Sequence, residues 1–511
     1  MTHESDPTLI SAGIEPNEHA SCMQHEAPPL LQAARFVRTH WVKLLSVSAL
    51  VLTPCFWHRE IVADDLGSHL YNAWLAQLVR HGQAPGLWIA RQWTNVLFDF
   101  LLSGLGSMFG FRAAERIAVS LAVLVFFWGV FALVAAATRR APWFLLPCIA
   151  LAAYGWTFHM GFFNYYLSLG LGFFSLAIFW RGQGWERLVA IAIAPIVAVA
   201  HPLGFFWLVG AGAYLGLAEK ARRHQAVLFA AGVATILGLH YYLWNHHIVA
   251  PPTKPFYFFN GADQLVLFGA RYRIVERALI AFAMVSLAVD TVRRRREPAL
   301  WGQFSISLQL YVLIELAVPL FPGGVRFPHH AAPIALLTER LTSVSIVLGC
   351  CLLGAMRPSR WHLAGSAAIA ALFFSFVYQD TATVNKMEAQ IVQLVAKLPP
   401  GQRVIGTILP PPRSRILIQH ILDRACIGRC FDYGNYEPSA EVFRVRARPG
   451  NPYVLSNYED AISTEKGNYT VQPKDLPIFQ IYQCDLSGTE LCIHSLAAGE
   501  TNDRLGVHPD E

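Results

Sequence analysis

A series of long apolar runs, each closed by a short basic or polar loop, limits what this chain can fold into more than any other feature. The runs lie at Trp41–Trp57, Ile117–Ala137, Trp143–Phe158, Gly161–Trp180, Leu188–Ala200, Leu203–Ala218, Gln225–Trp244, Ala278–Val292, Ala299–Phe321, Pro333–Met356 and Leu363–Gln379. Their lengths cluster near the roughly 20 residues that a bilayer-spanning helix needs. Of the 511 residues 54% are hydrophobic and only 14% charged, against roughly a quarter charged in a soluble domain. The class is therefore a polytopic α-helical membrane protein. The net charge of +6 sits at segment ends, where cytoplasmic loops carry it, and does not point to nucleic acid.

The basic loops set the topology. Arg139-Arg140, Arg181 with Arg187, Lys220 to His224, Arg293 to Arg296 and Arg357 to Arg360 fall at every second boundary. All five face the cytosol together only if Trp93–Phe111, which contains Asp99 and three glycines, does not cross. That gives about 11 spans; if the segment does cross, there are about 12 and everything downstream is inverted. Residues 1–40 then form a cytoplasmic tail, and the first run is an uncleaved anchor. Residues 41–379 form the membrane domain, with outer-face juxtamembrane helices at 64–111. Residues 380–511 form a small extracytoplasmic α/β domain, with strands at Val404–Leu409, Ile478–Tyr482 and Leu491–Ile493 and a helix at Arg415–Ala425.

Chemistry-bearing residues gather at the outer boundaries. Asp64 and Asp65 follow the first span, and Leu66, Leu70, Ala73, Trp74 and Leu78 recur behind them at helical spacing. That pattern predicts an amphipathic helix lying along the bilayer surface. Two adjacent carboxylates share negative charge, which suits a general base or a divalent-metal site. His69, at i+4 from Asp65, can co-ligate; the plainer reading makes Asp65 a helix cap. Among the outer histidines, His201 and His330 stand beside prolines that fix their backbone. Arg326 and Arg340 are candidates to clamp a phosphate bidentately, with Lys254, Arg271 and Arg273 of the long outer loop as alternatives. The bland counterpart is an ion pair of Glu339 with an arginine, stitching two helices together.

Of the 9 cysteines, Cys55, Cys148, Cys350 and Cys351 lie in apolar runs as packing groups. Cys426 with Cys430 and Cys484 with Cys492 suggest disulfides in an exported domain, with a four-thiolate zinc site as the rival.

The arrangement resembles the GT-C superfamily of membrane glycosyltransferases. The resemblance is carried by Asp64-Asp65 in the first outer loop, by a helix opening Ala113-Ala114-Glu115-Arg116 and ending Arg139-Arg140, and by the C-terminal domain. The WWD-type signature of the oligosaccharyltransferases is missing, and Trp88-Ile89-Ala90-Arg91-Gln92-Trp93 replaces the usual proline-rich start of the second juxtamembrane helix. The resemblance implies transfer of a sugar from a polyprenyl-phosphate carrier to an extracytoplasmic acceptor. One aspartate, Asp64 by preference, would act as base or metal ligand, and outer-face arginines would hold the lipid phosphate. It also implies residence in the cytoplasmic membrane, in contact with membrane lipids, and no cofactor beyond a divalent metal ion. A secondary transporter or lipid flippase is the main alternative, and a non-catalytic envelope-assembly protein the third. No internal repeat of the transporter kind is visible and the polar residues gather at one rim; only His240, Glu315 and Glu339-Arg340 argue for the transporter.

Overall fold

The computed structural model describes residues 28–251, 260–294, 301–328, 331–357, 359–485 and 488–503. Lys254 and His330 lie outside the described residues, as does most of the N-terminal tail.

In chain order come α1 (Pro29–Leu52), α2 (Asp64–Arg80), β1 (Leu87–Ile89), α3 (Leu97–Phe109), α4 (Phe111–Thr138), α5 (Leu146–Ala153) and α6 (Trp156–His159). Next are α7 (Phe163–Arg181), α8 (Trp185–Ala200), α9 (Pro202–Lys220), α10 (Gln225–His246), β2 (Ile248–Ala250), α11 (Tyr272–Arg294) and α12 (Trp301–Leu320). Then follow β3 (Gly324–Arg326), β4 (Ile334–Ala335), α13 (Leu337–Gly354) and α14 (Arg360–Ala396). The C-terminal domain contributes β5 (Gln402–Thr407), α15 (Asp423–Cys426), β6 (Cys430–Asp432), β7 (Val445–Ala447), α16 (Tyr458–Lys466), β8 (Ile478–Gln483) and β9 (Leu491–Leu496).

Among the described residues five helices, α4, α7, α10, α13 and α14, are long and apolar enough to cross a membrane by length and composition. A count of about 11 is reached only if α1, α8, α9, α11, α12 and the joined pair α5–α6 cross as well. The 13 residues of α3 rise about 20 Å, short of a hydrocarbon core of roughly 30 Å.

Three expectations need correcting. First, α2 is not a surface helix. Leu66, Leu70 and Ala73 are buried, but so are Ser68, His69, Tyr71 and Asn72 on its other faces. The polar face meets the C-terminal domain instead of water. Asn72 Nδ2 donates to Glu437 Oε2 at 2.6 Å, and the Tyr71 hydroxyl accepts from the Asp432 backbone N–H at 2.9 Å. Gly67 has no room for a Cβ because the His420 carbonyl oxygen abuts it.

Second, the helix expected to stop near Gln379 continues as α14 to Ala396. Val377, Thr381, Val384, Met387, Ile391 and Val395 keep a buried stripe at helical spacing. The change in composition at Asp380 marks an amphipathic continuation rather than a domain edge.

Third, Arg415–Ala425 is not a helix. It holds a single 3-10 turn, Gln419–Ile421, and the short α15. Its backbone groups are engaged elsewhere: Arg415 N–H donates to the Leu267 carbonyl at 2.7 Å, and His420 N–H to Asp64.

The expected strands form a four-stranded sheet in the order β6-β5-β8-β9, parallel between β6, β5 and β8 and antiparallel between β8 and β9. A smaller core of Ile405, Tyr433, Leu455, Ala461, Tyr469, Val471, Ile478 and Leu496 lies against it. β1 pairs with β7, matching Leu87 to Ala447 and Ile89 to Val445. The segment after α2 is thereby stitched to the C-terminal domain. Cys426 is bonded to Cys430 and Cys484 to Cys492.

Candidate active site

The site forms where the N-terminus of α2 is held from three sides. From below, the turn between α6 and α7 presses against it: the Asp65 N–H donates to the Met160 carbonyl at 3.1 Å. Gly161, at φ +78°, makes that approach possible, since a Cβ there would lie 2.6 Å from Asp65 N. From the side, the Ala113-Ala114-Glu115-Arg116 turn of α4 grips the preceding loop. Glu115 accepts from the Ile61 N–H at 3.2 Å, and Arg116 donates to the carbonyls of His58 and Arg59. From above, Arg424 reaches Glu388 of α14 at 2.6 Å, Glu115 at 3.4 Å and the Ile61 carbonyl at 3.1 Å.

Asp64 and Asp65 occupy the first turn of α2, where the positive end of the helix dipole favours anions. They differ in access. Asp64 is buried at 7% exposure; its Oδ1 accepts from the His420 N–H at 3.4 Å and its Oδ2 has no partner. Burial pushes its carboxyl up to about 7, the His420 charge opposing and the Asp65 charge adding to the rise. The Asp65 side chain keeps 25% of its surface and points its Oδ1 toward His420 Nε2, 3.9 Å away.

His420 comes from the C-terminal domain. Its Nδ1 sits 2.9 Å from Asp423 Oδ2, and its Nε2 is buried without a hydrogen-bond partner. Burial alone would lower its pKa, but the bond and charge of Asp423, then Asp64 and Asp65, hold it well above the usual imidazole range. Behind it, burial and the Asp423 charge push Asp432 well above the carboxylate range.

A second histidine–carboxylate pair braces the next turn. His69 Nδ1 is 3.0 Å from Asp99 Oδ1, and Asn164 Nδ2 donates to Asp99 Oδ2 at 2.8 Å. Burial disfavours the charged imidazole, yet Asp99 outweighs it and raises His69 to about 9. His69 is thus turned toward Asp99 rather than joining Asp64 and Asp65. Among the described residues, no group of three or more histidine, cysteine or acidic side chains is arranged to hold a metal ion. Of the two nearby imidazoles, His69 is taken up by Asp99, while His420 keeps an unpartnered Nε2 on the side of Asp65.

The cationic side is set by α13 and α9. Arg340 is partly buried, stacks over the Phe162 ring at 4.1 Å, and lies within electrostatic range of Asp65; its Nε has no hydrogen-bond partner. Its Nη1 is 3.2 Å from His201 Nε2. His201 caps α9, its Nδ1 accepting the Leu203 N–H at 3.1 Å. Burial and the Arg340 charge hold His201 well below its usual range, so the ring is neutral. With Nδ1 accepting, its single proton is on Nε2. Two donors therefore lie side by side, an arrangement that an anion accepting from both would satisfy.

The other expected anion ligands are elsewhere. Arg271 pairs with Asp380 at 2.6 Å, and Arg273 lies 3.8 Å from Glu276. Arg326 is exposed on β3, with its charge reaching Tyr458. His159 is locked to the Val62 carbonyl at 3.0 Å. Sequence reasoning missed His420, Asp423, Asp432, Glu437 and Tyr436. The available signal was the i, i+3 pair His420–Asp423 set among the apolar residues Ile418, Ile421 and Leu422. A cavity of about 290 Å³ opens beside the site between Glu60, Leu70, Glu388, Ile421 and Arg424; Asp64 and Asp65 do not line it.

The fold and site define a helical membrane protein whose polar machinery lies at one end of its helices, beneath a small mixed-sheet domain. No family model matches the sequence, and no curated protein does. Among solved structures it is similar to the crystal structure of ArnT from Cupriavidus metallidurans in the apo state. The TM-score is 0.45 and the identity 13%, with 88% of this chain and 94% of that chain covered. A likeness this shallow carries no weight on the chemistry, which rests on the chain's own side chains.

Proposed function

We propose that this protein is a membrane glycosyltransferase, moving a sugar from a polyprenyl-phosphate carrier to an acceptor outside the cytosol. The observation that supports the reading is a quarter-exposed carboxylate, Asp65, within electrostatic range of a partly buried arginine, Arg340, that is itself 3.2 Å from His201 Nε2. Asp65, rather than the buried Asp64, is the group an acceptor can reach.

In the proposed step Asp65 takes the proton from the acceptor's hydroxyl or amine. The freed lone pair attacks the anomeric carbon as the bond from that carbon to the phosphate oxygen breaks. The electron pair leaves with the phosphate, whose added charge meets the Arg340 guanidinium and the His201 Nε2–H. Asp64, whose carboxyl burial raises to about 7, repels Asp65 less than an ordinary carboxylate in its place would.

The test is transfer from a polyprenyl-phosphate-linked sugar by purified protein. Asp65→Asn is expected to cut the rate by about 10²–10⁴-fold, the range that a positioned base supplies. Asp64→Asn is expected to retain most of it. Full transfer by the Asp65→Asn protein would end the reading.

A further inference from the structure

We propose that His420, delivered by the C-terminal domain, is a positioning residue for Asp65, so that this domain completes the catalytic centre instead of serving as a separate binding module. The inference rests on Asp65 being the base.

The argument begins with how one residue addresses both carboxylates. The His420 backbone N–H donates to Asp64 Oδ1 at 3.4 Å, while its ring Nε2 faces Asp65 Oδ1 at 3.9 Å. The ring cannot rotate freely between these jobs. Asp423, fully buried, holds Nδ1 at 2.9 Å, and Tyr436 flanks the ring at 5.4 Å between centroids. The backbone is equally constrained, since the His420 carbonyl rests where Gly67 leaves no side chain.

A purely structural histidine would be expected to satisfy both nitrogens. A buried ring nitrogen without a partner costs free energy, and native structures keep few of them. Here the unpartnered nitrogen is on the side of the quarter-exposed carboxylate of Asp65. At 3.9 Å the pair is not yet hydrogen-bonded, and catalytic contacts commonly tighten only when substrate is bound. The imidazole then fixes which Asp65 oxygen faces the acceptor, and Asp423 fixes the imidazole.

Glutamine and asparagine separate the two ends of the ring. The glutamine side-chain amide can reach the Nε2 position and donate to Asp65; asparagine reproduces only the Nδ1 contact with Asp423. His420→Asn is expected to lower kcat by about 100-fold with the acceptor KM changed by less than about 2-fold. His420→Gln is expected to recover about 10-fold of that loss at the same melting temperature. In an Asp65→Asn background, His420→Asn is expected to have no further effect on the residual rate.

Wild-type kcat in His420→Asn overturns the proposal. So does equal loss in both variants that tracks their melting temperatures. If neither variant folds, Asp423→Asn carries the test: a kcat-only loss supports it and an unchanged kcat overturns it. The Asp65→Asn protein measured alongside separates the two ideas, because an active Asp65→Asn defeats the glycosyltransferase mechanism itself. An inactive one beside a fully active His420→Asn defeats only the positioning role.

Discussion

Asp64 pays for its place beneath the C-terminal domain in its ionisation. Its carboxyl is raised from 3.8 to about 7, so the folded protein holds a proton there that the unfolded chain releases. Stability from this group is fully present below about pH 4 and is lost as pH rises through 7. Asparagine mimics the protonated form and can still accept the His420 N–H. Asp64→Asn should therefore flatten the fall in melting temperature between pH 4 and pH 8, and melt about 3 °C above wild type at pH 8. Thermal unfolding in detergent at a series of pH values checks it; parallel curves would mean that Asp64 is ionised throughout. Asp64 and Asp65 were visible in the sequence as a pair, but their division of labour was not. Adjacent positions on a helix start differ only in what packs over them, and here that is His420, 356 residues away in the chain.

The element that most repays attention is α2, tied to α3 by the His69–Asp99 pair. His69 is raised from 6.5 to about 9, so its contribution is full below about pH 6.5 and lost as pH rises through 9. Asp99→Asn removes the counter-charge from a buried imidazolium and should cost roughly 3–5 kcal/mol at pH 6. The variant should also lose the decline in stability that wild type shows between pH 6.5 and 9. A variant matching wild type at pH 6 would show that the pair carries no charge. The apolar stripe of α2 was legible because a 3.6-residue period survives any partner. Its polar face was misassigned because Ser68 and Asn72 look alike in sequence whether they meet water or Glu437. The same ambiguity hid the run of α14 past Asp380 and turned the apolar period of Arg415–Ala425 into a false helix, since tertiary hydrogen bonds took its backbone.

Across the whole molecule, charge separates along the helix axes. α4 begins at the site, with Glu115 against Ile61, and ends at Arg139-Arg140; Arg140 Nη2 there bonds the Gly354 carbonyl at the end of α13 at 2.7 Å. α7 starts with Asn164 on Asp99 and finishes at Arg181, while α9 starts at His201 and finishes at Lys220. α14 runs the other way, from Arg360 toward the C-terminal domain. Basic loops thus collect at one end, and the carboxylates, both disulfides and the mixed sheet at the other. Cytoplasmic loops are the ones enriched in lysine and arginine, and disulfides persist outside the reducing cytosol. Both arguments lead to the expectation that the Asp65 end lies outside. A phosphatase that works only after export, fused behind Glu511, should be active, and the same enzyme fused in the Arg357–Arg360 loop should be silent. Non-reducing mass mapping should recover Cys426 joined to Cys430 and Cys484 to Cys492. The reverse reporter pattern, with free thiols at those four positions, would turn the molecule over and place its carboxylates where no exported acceptor could meet them.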